Sequence, residues 1–197
     1  MPEAATAPHP FARHAVRVAA LWVLAGAASK AATGMPTDLP YFFATHELDP
    51  VAVIVLGTLV ECAVAVFALV APRAARIPLA ALLALFAGLL VHHVSHTDAS
   101  CGCFGGAQIP APVMLGADLV FLGMVAWTFR APPARAGATR LLAGILAGCV
   151  AGGAAAAYAN DRLARTVAAE PAKSAAPAEA WSMPTQIPEQ VLLRPST

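Results

Sequence analysis

The chain has 197 residues, of which 59% are hydrophobic and 12% charged, with a net charge of +1. Soluble domains carry about 25% charged residues. Half that share, with a mean hydropathy of +0.69, excludes an ordinary soluble enzyme and points to a bilayer as the first partner. A charge so close to neutral gives no reason to expect a nucleic-acid partner.

Spanning a bilayer takes roughly 20 predominantly apolar residues. The first apolar run is free of charge over residues 18–29, between Arg17 and Lys30, and a span over 14–33 is expected. Its end charges can reach the interface along their aliphatic stems. Arg13, Arg17 and the small residues "GAA" also resemble a secretory leader. Lys30, directly behind the run, favours a retained span. Residues 51–72 form a second span with one charge, Glu61. Residues 77–97 form a third, in which only His92, His93 and His96 can titrate. The fourth, residues 109–129, holds Asp118, and the fifth, residues 141–160, has no charge.

Basic residues orient these spans. Arg13 and Arg17, Arg73 and Arg76, and Arg130, Arg135 and Arg140 alternate with segments 34–50 and 97–110, which have no Lys or Arg. The positive-inside rule then predicts a cytoplasmic N-terminus and puts 34–50 and 97–110 outside. Arg162 and Arg165 run against that rule, since helix count puts them outside. The expected organisation is a cytoplasmic tail over 1–13, a four-helix membrane domain over 14–130, a cytoplasmic loop with the fifth span over 131–160, and an Ala/Pro-rich flexible extracytoplasmic tail over 161–197.

The most unusual stretch is "HTDASCGCFGG", residues 96–106. Cys101 and Cys103 lie one glycine apart on a segment expected to face an oxidising compartment, where disulfides persist. A disulfide closing so small a ring departs from preferred geometry and is easily reduced, which suits exchange better than bracing. Gly102 allows the ring to close, and Gly105 and Gly106 are expected to leave room for another chain. A structural loop disulfide is one alternative. A metal site is another: His92 and His96 share a helix face and, with Cys101 and Cys103, offer two imidazoles and two thiols for zinc or copper. Cys-x-Cys is tighter than the usual structural zinc spacing. His93 reads as an interfacial histidine. Cys62 and Cys149 fall inside spans and read as small hydrophobes. Cys62 lies roughly 16 Å below the outer end of its helix, too deep to meet Cys101 or Cys103.

A charge near mid-bilayer costs at least about 2.5–3.5 kcal/mol and marks a functional position by default. Glu61 and Asp118 are therefore candidates for a proton relay or for polar contact with a quinone head group, against the plainer reading of a helix–helix hydrogen bond. Lys30 pairs with Glu61 if it turns inward.

The order of these features resembles the MauE family of methylamine utilisation and the wider DoxX-like four-helix membrane group. The resemblance rests on "LAGAASKAATG", "LVECAVAVFALV" with Glu61, "CGCFGG" after the third span, and Pro110 and Pro112 ahead of the fourth. It covers about residues 14–130; the fifth span and the tail lie outside it. It implies an all-α bundle in the bacterial inner membrane that supports maturation of a disulfide-rich periplasmic methylamine dehydrogenase beside a thioredoxin-like partner. It further implies Cys101 and Cys103 as the redox pair, with Lys30 and Glu61 as matching polar positions. The expectation is thus a four-helix transmembrane bundle of DoxX/MauE type with a fifth transmembrane helix, acting as a thiol–disulfide oxidoreductase through a periplasmic thioredoxin-like protein and its client, with a quinone as the candidate cofactor. A membrane metal carrier and a non-catalytic assembly factor are the rival classes.

Overall fold

The computed structural model describes residues 10–40, 42–43, 46, 48–96, 104–107, 109–130 and 137–174. Among these residues there are five long helices and no strand. They are α1 (Pro10–Thr33), α2 (Pro50–Val70), α3 (Arg76–His96), α4 (Ala111–Trp127) and α5 (Ala138–Ser174), with 3-10 turns at Pro36–Asp38 and Thr128–Arg130. All five are long and apolar enough to cross a membrane, α2 being the most apolar with a mean hydropathy of 2.6. The chain divides into two compact units, Met1–Leu163 and Ala164–Thr197; of the second, residues 164–174 are described and helical.

Local chemistry sets the helix starts. Proline occupies the first turn of α1, α2 and α4, where its fixed φ is helical and its missing N–H removes no internal bond. The Asp49 carboxylate accepts a 3.0 Å hydrogen bond from the Val51 N–H, capping α2.

Helices α1 to α4 close a four-helix bundle, with α1 against α2 and α4, and α3 against α4 and α2. The buried face of α1 is built from Ala15, Ala19, Ala20, Ala27 and Ala31. Small side chains let backbones approach where lipid gives no hydrophobic drive for pairing. One half of the bundle is filled by an apolar cluster around Val16, Ala19, Val23, Ala68, Leu79, Leu83 and Val125. That end is tied by the Arg76 guanidinium, which donates to the Thr128 carbonyl at 2.8 Å. The other half holds the polar groups.

Helix α5 lies against α2 along Gly144, Gly148 and Gly152, spaced four apart. A Cβ at Gly148 would lie 2.6 Å from the Ala63 carbonyl oxygen, and one at Gly152 2.6 Å from that of Leu59. Only glycine allows backbones this close. The Arg162 guanidinium donates to the Gly34 carbonyl, just past the end of α1. That bond employs one of the two arginines that ran against the charge rule.

Several boundaries differ from expectation. Helix α1 begins at Pro10, so residues 10–13 belong to the helix rather than to a tail. Helix α5 runs to Ser174, so residues 161–174 are helical where a flexible tail was expected. Ala, Leu and Arg, all strong helix formers, fill "RLARTVAA" and carry the helix on. His93, in the last turn of α3, is buried against the bundle.

Candidate functional site

Lys30, Glu61 and Asp118 come from three helices, and all three line one small cavity of about 30 Å³. That is room for one or two waters. Lys30 stands in the last turn of α1 and turns inward instead of reaching the interface. Its ammonium is bonded to Glu61 Oε1. The Glu61 side chain is 4% exposed and that of Lys30 16%, so the pair is enclosed. The Lys30 ammonium also sits 5.6 Å from the centroid of the Phe86 ring, an attractive cation–π placement. Pairing offsets the cost of holding either charge in the bilayer.

Asp118 has a different partner. Its Oδ1 accepts a 2.9 Å hydrogen bond from the Trp22 indole N–H, across from α1. Trp22 in turn lies between two rings, 4.9 Å from Phe104 and 5.2 Å from Phe121. The indole therefore fixes Asp118 and forms the floor beneath Phe104.

Phe104 begins the described part of the segment that joins α3 to α4, and it is docked rather than free. Ser29 Oγ donates to the Phe104 carbonyl at 2.8 Å. The Gly106 N–H donates to Thr33 Oγ1 at 2.9 Å, and that hydroxyl donates to the Ser29 carbonyl at 2.9 Å. Gly105 has φ +58°, and a Cβ there would lie 2.6 Å from Thr33 Oγ1. Gly26 is close beneath the ring, where a Cβ would meet Phe104 at 3.2 Å. The sequence "FGG" is thus an anchor onto the last two turns of α1. This corrects the expectation that Gly105 and Gly106 leave room for another chain: the space they free is taken by α1 of the same molecule.

Cys101, Gly102 and Cys103 lie outside the described residues, directly ahead of that anchor in the sequence. The metal alternative divides. The His92 and His96 rings stack with centroids 4.3 Å apart, and Phe42 meets His92 edge-on at 5.8 Å. His96 Nδ1 lies 2.8 Å from the His92 carbonyl. Among the described residues no group of three or more His, Cys, Asp or Glu could hold a metal ion. Cys62 is buried and Cys149 exposed, and neither is in a disulfide.

A second, larger cavity of about 350 Å³ meets the first at Lys30, Glu61 and Phe86, which line both. The ion pair therefore lies between a water-sized space, to which Asp118 also contributes, and a larger apolar one.

Sequence reasoning singled out the three charges but missed Trp22, Phe104, Phe86, Ser29 and Thr33. An aromatic in a glycine-rich loop was the available signal for Phe104. No curated protein and no solved structure matches the chain. Residues 11–131, which contain α1 from its second residue, α2 to α4, both cavities and the anchored segment, match the family of the methylamine utilisation protein MauE, and the chain belongs to that family.

Proposed function

We propose that this chain is an inner-membrane thiol–disulfide protein of methylamine utilisation, with Cys101 and Cys103 as its redox pair on the extracytoplasmic side. The observation that carries the reading is the anchor that follows them. Phe104, Gly105 and Gly106 are pinned to the end of α1 that bears Lys30. The anchor fixes the residue that directly follows Cys103 in the sequence. The family match supports a membrane protein associated with methylamine utilisation.

In the oxidising direction, a thiolate of a thioredoxin-like partner attacks one sulfur of the Cys101–Cys103 disulfide. A mixed disulfide forms as the other cysteine leaves as thiolate. The partner's second thiol then displaces the bound cysteine, so the partner leaves oxidised and the loop is left a dithiol. The strain of a Cys-x-Cys ring drives the first step forward. The oxidised partner passes its disulfide to a periplasmic client of the methylamine dehydrogenase kind.

The test is the redox state of the pair in intact cells. A membrane-impermeant alkylating reagent, applied before and after mild reduction, should label Cys101 and Cys103 only after reduction. A pair that is reduced but shielded until a chelator is added would overturn the reading in favour of metal binding. Full client maturation with Cys101→Ser and Cys103→Ser together would leave only a non-catalytic assembly role.

A further inference from the structure

The larger cavity lies among α1, α2, α3 and the segment that follows α1. Its volume, about 350 Å³, falls at the small end of the range that encloses organic ligands, about 300–1,000 Å³. Among its described lining side chains only Lys30 and Glu61 are polar. Leu56 and Leu85 line it as well and are 60% and 57% exposed on spanning helices, so the cavity opens sideways into lipid.

The lining selects the occupant. A bare acyl chain would surround the enclosed ion pair with hydrocarbon and offer it no polar contact. An anionic head group would meet the Glu61 carboxylate beside the ammonium it sought. A neutral ring with carbonyl oxygens and an apolar tail suits both halves: the carbonyl accepts from Lys30, the ring lies among Phe43, Phe86 and aliphatic side chains, and the tail leaves through the lipid-facing rim.

We propose that this cavity binds the head of an isoprenoid quinone, with Lys30 as hydrogen-bond donor and Glu61 carrying protons to and from the ring oxygens. The binding site rests on the cavity. The quinone's role as acceptor rests on the thiol–disulfide reading above. As the loop dithiol closes to a disulfide it gives up two electrons and two protons. The quinone takes up both and departs as a quinol, which restores the oxidised loop.

The test uses the purified full-length chain in phosphatidylcholine nanodiscs, illuminated with a short-chain ubiquinone that carries a diazirine. A diazirine-bearing palmitate serves as comparison. The quinone probe should label peptides covering residues 53–60 and 82–89, and excess untagged quinone should suppress that labelling. Gly57→Phe fills the interior of the cavity, and Leu85→Trp blocks its rim from a lipid-facing position that folding does not use. Each should lower the labelling about tenfold. Equal labelling by the palmitate probe, or labelling that neither the competitor nor Leu85→Trp reduces, overturns the quinone site and makes the cavity a lipid crevice. Alkylation of Cys101 and Cys103 in the same samples separates the two claims. Specific labelling with a dithiol that stays reduced when quinone is added upholds the site and overturns the redox reading. A dithiol oxidised by quinone without specific labelling overturns the site and leaves the redox reading standing.

Discussion

Lys30 and Glu61, 31 residues apart in sequence, neutralise each other inside the bundle, and each lines both cavities. Removing one partner of an enclosed pair leaves the other charge without compensation, a loss of about 3–5 kcal/mol. Lys30→Met should therefore lower the thermal unfolding midpoint strongly. The double variant Lys30→Met with Glu61→Gln should recover most of that loss, because both charges are then gone. Differential scanning fluorimetry in nanodiscs checks this. A double variant as unstable as the single one would show that the pair has no energetic coupling.

The Trp22–Asp118 bond offers an asymmetric test. Asp118→Asn keeps an oxygen that accepts from the indole, so stability should change by less than about 1 kcal/mol. Trp22→Phe keeps a ring against Phe104 and Phe121 but leaves the Asp118 oxygen without its donor, at about 1–3 kcal/mol. Equal effects from the two substitutions in urea or thermal unfolding would show that ring packing, not the hydrogen bond, holds Asp118.

Gly105 should tolerate nothing larger. Its φ of +58° costs a side-chain-bearing residue about 1–2 kcal/mol, and the added Cβ would collide with Thr33. Gly105→Ala should release the anchor while leaving the helices intact. Hydrogen exchange should then quicken at residues 104–107 and stay unchanged in α2. Disulfide exchange with a thioredoxin-like protein should slow at the same time. Unchanged protection at Gly106, whose N–H is held by Thr33, would contradict the anchor.

The glycine seam predicts a sharp positional contrast on α5. Gly148→Leu forces its side chain against the α2 backbone and should cost about 1–3 kcal/mol through overpacking. Gly153→Leu, where no described residue lies within 4 Å of the added atom, should be close to neutral. Thermal unfolding of the two variants side by side decides it.

The spans were legible because hydropathy is a local property: five apolar runs became five helices, and the bounds moved by only a few residues at most ends. The largest shift, at the end of α5, came from Ala-rich sequence that supports a helix beyond its apolar part. Glu61 and Asp118 were legible as functional candidates because a charge in an apolar run is conspicuous. Their partners were not equally so. Lys30 could be read either as snorkelling or as turning inward, and the choice depends on where α2 lies. Trp22 looked like one more apolar residue of α1, and its donor role exists only once α4 is packed beside it. Gly105 and Gly106 were misread because a glycine announces a close approach without saying which chain approaches. The Gly144, Gly148 and Gly152 spacing was visible, but its facing partner on α2 was not.

The bond from Arg162 to the Gly34 carbonyl has a mechanical meaning. Helix α5 lies beyond the matched residues 11–131, yet it is seated on α2 by its glycines and clasps the turn that ends α1. It works as a strut with two fastenings, one on the helix that carries Glu61 and one just past Lys30. Any load that slides α5 along its seam acts on both fastenings, and so on the two helices that carry the ammonium and the carboxylate.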